Sequence, residues 1–207
     1  MTELLSAIEK RRAHRALSDR PVDRTVAERL LQAAHLAPSC GNNQPWRLIA
    51  VDDPDTLASI KEALTKGNYW AKPAPLIVAV ASRVDLDCRI PDGREYYLFG
   101  CGLALMNLMI QATEMGLVAH PIAGFRQREV KPALGVPDTY TVIALVIVGH
   151  PSDDLSGLSE KHRAEETSPR VRRPLGEVVS WNCFGFHDAP NANSSQGATH
   201  RPDQAVP

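Results

Sequence analysis

The sequence predicts an α+β fold, and three observations carry the prediction. Two runs, residues 76–81 (LIVAVA) and 142–148 (VIALVIV), are too continuously apolar for half-exposed strands, so they belong in the middle of a sheet covered on both faces. Residues 95–116 (EYYLFGCGLALMNLMIQATEMG) carry no charge between Glu95 and Glu114 and read as a central helix, apolar all round. Such a helix has to be buried, inside a large core, a subunit interface or a bilayer. Helices and strands also alternate loosely, without repeated βαβ units or a GxGxxG motif, which favours an α+β sandwich over a doubly wound nucleotide-binding sheet.

The elements follow in order. Residues 2–12 form a short amphipathic helix with Leu4, Leu5 and Ile8 on one face, running into a basic turn that contains Arg11, Arg12 and Arg15. Pro21 breaks the chain, and Thr25 with Glu28 makes a capping box for a helix that presents Val26, Leu30, Leu31, Ala33 and Ala34 and stops at Pro38. Residues 38–45 (PSCGNNQP) are a loop, and residues 46–51 (WRLIAV) a strand. Asp53 and Pro54 open the next helix, to about Leu64, with proline at a first helical position. Residues 67–75 and 82–94 are irregular and flank the first buried strand. After the central helix, Gly116 and Leu117 suit a left-handed cap with its apolar contact. A brief strand at 118–122, a short helix at 128–134 and the second buried strand complete the sheet. Residues 151–169 read as a loop, residues 170–179 as a basic-then-apolar strand, and the Asn-, Ser-, Gln- and Pro-rich end as disordered.

A chain of 207 residues, 43% of them hydrophobic, buries a sizeable core in one domain. A net charge of -1 offers no global attraction to nucleic acid or an acidic membrane, so any anion site is local. Cys40, Cys88, Cys101 and Cys183 show neither CxxC nor zinc-ligand spacing; no metal and no redox pair is expected, and a reducing cytosol is the plain reading. Residues 1–20 carry Glu3, Glu9 and several arginines where a signal peptide needs an apolar core, which points to the cytoplasm. The central helix is a poor membrane span, because Gly100, Gly102, Asn107, Gln111 and Thr113 interrupt it.

Two basic clusters, Arg11–Arg12–Arg15 and Arg170–Arg172–Arg173, suit a phosphate, since a guanidinium pairs with two of its oxygens at once. A solvated charged face is the plain alternative. The loop side chains Ser39, Asn42, Asn43 and Gln44 offer donors and acceptors to a heteroaromatic edge. In residues 120–125 (HPIAGF) small residues let backbone N–H groups approach a flat ligand. No GxSxG, HExxH or paired carboxylate is present, the histidines are scattered, and Cys40 lacks a basic neighbour. No side chain stands out as catalytic, so an enzyme with this sequence relies on a cofactor.

Four pieces, in order and suitably spaced, resemble the nitroreductase family of FMN-dependent oxidoreductases: IEKRRAHRAL with the following PV, APSCGNNQPWRLIAV, GLVAHPIAGF and RVRRPLGEVVSWN. The resemblance spans most of residues 1–182. It implies a three-layer α-β-α sandwich with the long central helix buried, an FMN-binding domain over residues 1–186 and a polar tail over 187–207. It places Arg11, Arg12 and Ala13, with Arg170, Arg172 and Arg173, on the FMN phosphate and ribityl chain. Arg15 lies beside the pyrimidine edge, where it tunes the flavin. Pro38, Ser39, Cys40 and Asn42 come from a second subunit; Ile122, Ala123 and Gly124 lie against the ring, and Asn68 is the nearest match to a further polar contact. Tyr69, Trp70, Tyr96 and Phe99 are candidate substrate-pocket walls. Ala13 and Cys40 stand where members often carry serine, and Ala123 where well-known bacterial members carry an acidic residue. The implied protein is a homodimer that moves electrons from NADH or NADPH through FMN to a nitroaromatic or quinone by a ping-pong mechanism. A dehydrogenase or dehalogenase of the same fold, or a non-catalytic flavin-binding protein, is the alternative.

Overall fold

The computed structural model describes residues 3–186, so the tail expected at 187–207 lies outside the described residues. The chain divides into two compact units, Met1–Ser168 and Pro169–Pro207.

The first unit is built on a four-stranded antiparallel sheet in the order β1-β2-β4-β3, formed by β1 (Arg47–Val51), β2 (Leu76–Ser82), β3 (Val118–Ile122) and β4 (Thr141–Gly149). The two apolar runs are the neighbouring inner strands, paired Ile77↔Ile147 and Val78↔Val146, and every residue of β2 is buried. Successive strand residues point to opposite faces, so the sheet feeds two cores. Ile77, Ala79, Leu145 and Ile147 pack with Leu57 and Ile60 of α3 (Pro54–Glu62) and Val130 of α5 (Gln127–Ala133). Val78, Val80, Val146 and Val148 pack with Leu30 and Ala34 of α2 (Arg24–His35) and Cys101, Leu105 and Leu108 of α4 (Tyr96–Glu114). Burying one such leucine contributes about 1.5–3 kcal/mol.

Local chemistry sets several boundaries. Asp53 caps α3 by accepting from the Thr56 N–H at 2.9 Å, with Pro54 next to it. Gly116 closes α4 at φ 70, and the Leu117 N–H reaches back to the Ala112 carbonyl at 2.8 Å with Leu117 buried. Gly100 makes room for the loop before β1, since a Cβ there would stand 3.2 Å from Pro45.

Other expectations are corrected. The first helix, α1, covers only Ser6–Lys10. The Thr25–Glu28 capping box does not form, because α2 already begins at Arg24 behind Asp23. The segment read as a loop at 151–169 contains α6 (Glu160–Thr167), capped by Ser159. It has no buried residue, hence no apolar stripe to betray it. In one chain α4 is buried along one face only: Leu98, Phe99 and Met106 are exposed. No described helix is long and apolar enough to cross a membrane.

The second unit, over its described residues, holds no strand at 170–179; it is irregular there, with a 3₁₀ turn at Leu175–Glu177. Val171, Leu175, Val178 and Trp181 are exposed, so no sheet partner supplies the burial that the apolar residues suggested.

Candidate functional site

The basic turn after α1 is fastened by α6, which the sequence did not announce. The Glu166 side chain is 7% exposed. Its Oε2 accepts from the Arg15 backbone N–H at 2.9 Å, and its Oε1 lies 2.8 Å from His14 Nδ1 and 3.4 Å from the Ala16 N–H. Arg12 Nη2 donates to the Ser168 carbonyl at 2.6 Å, at the C-terminal end of α6, where a cation meets the negative end of the helix dipole. Arg15 Nη1 pairs with Glu165 Oε2 at 2.8 Å. Arg11 and Arg12 are half-buried and Ala13 is exposed. A guanidinium has five N–H donors, more than the contacts of Arg12 and Arg15 given above use.

This turn sits beside β3. His120 Nδ1 lies 3.0 Å from the His14 carbonyl, which can only accept, so Nδ1 carries the proton. The His120 ring stacks on Trp70 with centroids 4.5 Å apart. Burial pushes the His120 imidazole below its usual pKa; the bond to His14 opposes this, and the Arg15 and Arg11 charges add to the downward shift.

At the end of β3 the chain turns outward at Ile122, Ala123 and Gly124. The Gly124 carbonyl accepts from the Thr65 N–H at 3.0 Å and from Asn68 Nδ2 at 2.8 Å. A Cβ at Gly124 would stand 2.4 Å from Asn68 Nδ2 and 2.6 Å from Thr65 Oγ1, so a larger residue there would displace the Asn68 and Thr65 side chains. The N–H groups of Ala123 and Gly124 make no backbone hydrogen bond among the described residues. The fold thus brings together Arg11, Arg12, Ala13 and Arg15 with the β3 strand that leads to Ile122, Ala123 and Gly124, and joins Asn68 to that strand end.

The proposed pocket aromatics separate. Trp70 is 4% exposed and belongs to the core. The Tyr69 hydroxyl accepts from the Ser159 N–H at 2.7 Å and lies 3.0 Å from His162 Nδ1; the Ser159 bond draws its pKa below the usual phenol value. Tyr96 and Phe99, on α4, line a cavity of about 540 Å³ together with Pro38, Ser39 and Cys40. Asn42 is exposed in the same loop, where Gly41, Asn42 and Gln44 all take positive φ. Each non-glycine residue held there costs about 1–2 kcal/mol. Arg170, Arg172 and Arg173 are exposed in the second unit.

The expectation of unpaired thiols is overturned. Cys40 and Cys88 form a disulfide across a sequence separation of 48, with Cα atoms 5.9 Å apart. Their spacing matches no motif, so only the fold could reveal the pair. Next to it Asp87 is buried; its Oδ1 accepts from the Cys88 N–H at 2.8 Å and from Asn43 Nδ2 at 3.3 Å. Cys101 is a buried thiol whose pKa desolvation pushes up to about 11, which suits packing rather than nucleophilic chemistry. Sequence reasoning also missed Glu165 and Glu166; the capping serine before a run of helix-favouring residues was the available signal.

Comparisons with known proteins bear on the fold that carries these residues. The model of the nitroreductase family matches residues 8–82 and 65–150. An NADH dehydrogenase of Thermus thermophilus is 29% identical over 206 residues, covering 85% of this chain and 94% of that protein. An FMN reductase [NAD(P)H] of Bacillus subtilis is 27% identical over 169 residues, covering 74% and 68%. A crystal structure described as an oxidoreductase containing FMN superposes with a TM-score of 0.79 at 30% identity, covering 90% of this chain and 95% of that one. A nitroreductase family protein from Clostridium difficile 630 gives 0.72 at 27% identity, covering 88% and 100%.

Proposed function

The chain belongs to the nitroreductase family, a flavin oxidoreductase resembling NAD(P)H nitroreductases and FMN reductases, and from that premise we propose that it works as a homodimer on FMN with a flat nitroaromatic or quinone as acceptor. The observation that carries this reading is the basic turn held against β3 through His14 and His120, with the end of that strand running into the Ala123 and Gly124 N–H groups, which no other backbone group uses among the described residues.

The residues present fit FMN by the chemistry of their donors. Guanidinia at Arg11 and Arg12, with the Ala13 backbone, suit a phosphate monoester and polyol, and Arg170, Arg172 and Arg173 offer the same chemistry. The N–H groups of Ala123 and Gly124 suit a ring nitrogen, and Asn68 acts through the Gly124 carbonyl that it holds. When bound, FMN supplies two-electron redox chemistry, taking a hydride from NADH or NADPH and passing two electrons to the acceptor in a ping-pong cycle. Arg15 would hold a bound flavin by its pyrimidine edge and supply the positive charge that favours its reduced state, and the pair with Glu165 would moderate that charge. Ala123 leaves the space beside it apolar.

A second copy completes the site in this reading. The exposed Leu98, Phe99 and Met106 give α4 an apolar face that a copy of the same helix would cover, making it the central buried helix of a three-layer sandwich. The same association brings Pro38, Ser39, Cys40 and Asn42 to the partner's flavin. An obligate interface of this kind buries about 2,000 Å² or more.

The purified protein is expected to be yellow, to release FMN by mass analysis, and to scatter light as a dimer. Its visible band should bleach with NADH or NADPH and return with a nitroaromatic. FAD in place of FMN, no flavin after saturation, or a stable flavin-loaded monomer would each refute the corresponding part.

A further inference from the structure

The cavity beside α4 is lined by two wall segments that are far apart in sequence, one with Ser39 and Cys40 and the other with Ile90 and Arg94, together with Phe99 of α4. The Cys40–Cys88 disulfide joins the two wall segments covalently. Beside it, the Asn43 amide reaches Asp87 Oδ1 at 3.3 Å and Cys88 Sγ at 3.5 Å, which are long contacts. We propose that the Cys40–Cys88 disulfide is a thiol-exchange site that sets the shape of this cavity, closing it around a flat acceptor when bridged and loosening it when reduced by a dithiol. The inference rests on the proposed function, with this cavity, lined by the candidate pocket residues Tyr96 and Phe99, read as the acceptor pocket.

Three features support it. Both cysteines are half-buried in the single chain, and Cys40 lines the cavity read here as open to the acceptor, which gives a small thiol the same route to the bridge. The loop that carries Cys40 holds Asn42 at φ 58 and Gln44 at φ 50, conformations that persist only where the surroundings over-determine them. Cys101, the free cysteine of the same unit, does not replace the bridge, since it is fully buried in the core. In the exchange, a thiolate of the dithiol attacks one bridging sulfur, the Sγ–Sγ bond breaks, and the released cysteine takes a proton. The second thiolate then attacks the mixed disulfide and frees the other cysteine. Two electrons and two protons pass from dithiol to protein, and the dithiol leaves as its own disulfide.

The test compares holoenzyme as isolated with holoenzyme treated with dithiothreitol. Titration under denaturing conditions should find two free thiols before reduction and four after it, because Cys101 and Cys183 are already free. Reduction should raise the acceptor KM about fivefold at nearly constant kcat, the sign of lost uniform binding. Limited trypsin cleavage after the exposed Arg89 and Arg94 should quicken about tenfold, as expected when local opening becomes easier. Re-oxidation should reverse both changes, and Cys88→Ala should behave as the reduced protein with or without dithiothreitol. A rise to four thiols with unchanged KM and unchanged cleavage would overturn the proposal. So would four free thiols that persist after treatment with oxidised glutathione. FMN content is read separately from the visible spectrum: a protein without flavin counts against the functional reading, while the trypsin result still decides the role of the bridge.

Discussion

Glu166→Ala should separate a buried anchor from a surface ion pair one residue away. Glu166 is almost fully covered and holds the Arg15 N–H at 2.9 Å, His14 Nδ1 at 2.8 Å and, more weakly, the Ala16 N–H at 3.4 Å. A hydrogen bond to a charged group contributes about 1.5–3 kcal/mol, and removing the acceptor leaves the covered donors unsatisfied. Counting one strong backbone bond, the His14 contact and a weak third, the expected loss is about 3 kcal/mol. For a chain of this size that lowers Tm by about 6–12 °C. Glu165→Ala is the control: its carboxylate pairs with Arg15 but is 41% exposed, so its loss should cost less than about 1 kcal/mol. Urea unfolding at equal protein concentration measures both, since concentration matters for an associating chain. Because Glu166 fixes the turn carrying Arg11, Arg12 and Arg15, its loss should also weaken FMN binding, by about tenfold for each 1.4 kcal/mol of lost placement. Equal and small stability changes in the two variants would refute the anchoring argument.

Arg15 and Glu165 should shift the flavin potential in opposite directions. Arg15→Met should lower it and Glu165→Gln should raise it, by about 30 mV for each tenfold change in the two-electron equilibrium; spectroelectrochemistry that finds both variants at the wild-type potential would remove Arg15 from the tuning role. His120 should make stability depend on pH. Its folded pKa is depressed by burial, so its contribution is complete above the unfolded value of about 6.5 and declines as pH falls below that value toward the folded pKa. The loss of urea resistance between neutral and mildly acidic pH should be smaller in His120→Gln; identical pH profiles would contradict the assignment.

Much of the sheet was legible because burial writes itself into short sequence patterns. A strand covered on both faces needs apolar residues at every position, and that requirement exposed β2 and β4 directly. The residues of β3 and the Gly116 cap were equally local, depending on a few neighbours and one backbone angle. Residues 170–179 show the limit of the same logic: their apolar content suggested a strand, but a strand needs a neighbouring strand, and no strand forms there. The functional loops were visible as chemistry, in the arginines of the first turn and the donors of residues 38–45, though not as contacts.

What the sequence by itself determined, then, was the set of apolar elements, their approximate bounds and the residue types available to an anionic, flat ligand. Tertiary structure alone decided the strand order β1-β2-β4-β3, the anchoring of the basic turn by Glu166, and the division that sends Trp70 into the core while Tyr96 and Phe99 line a cavity. It also decided the Cys40–Cys88 bridge. Each of these depends on groups far apart in the chain. Burial of a single residue follows a period of two or about 3.6 that can be read along the chain, but a hydrogen bond or a disulfide between distant residues leaves no period, because it exists only once the fold has set both ends within reach.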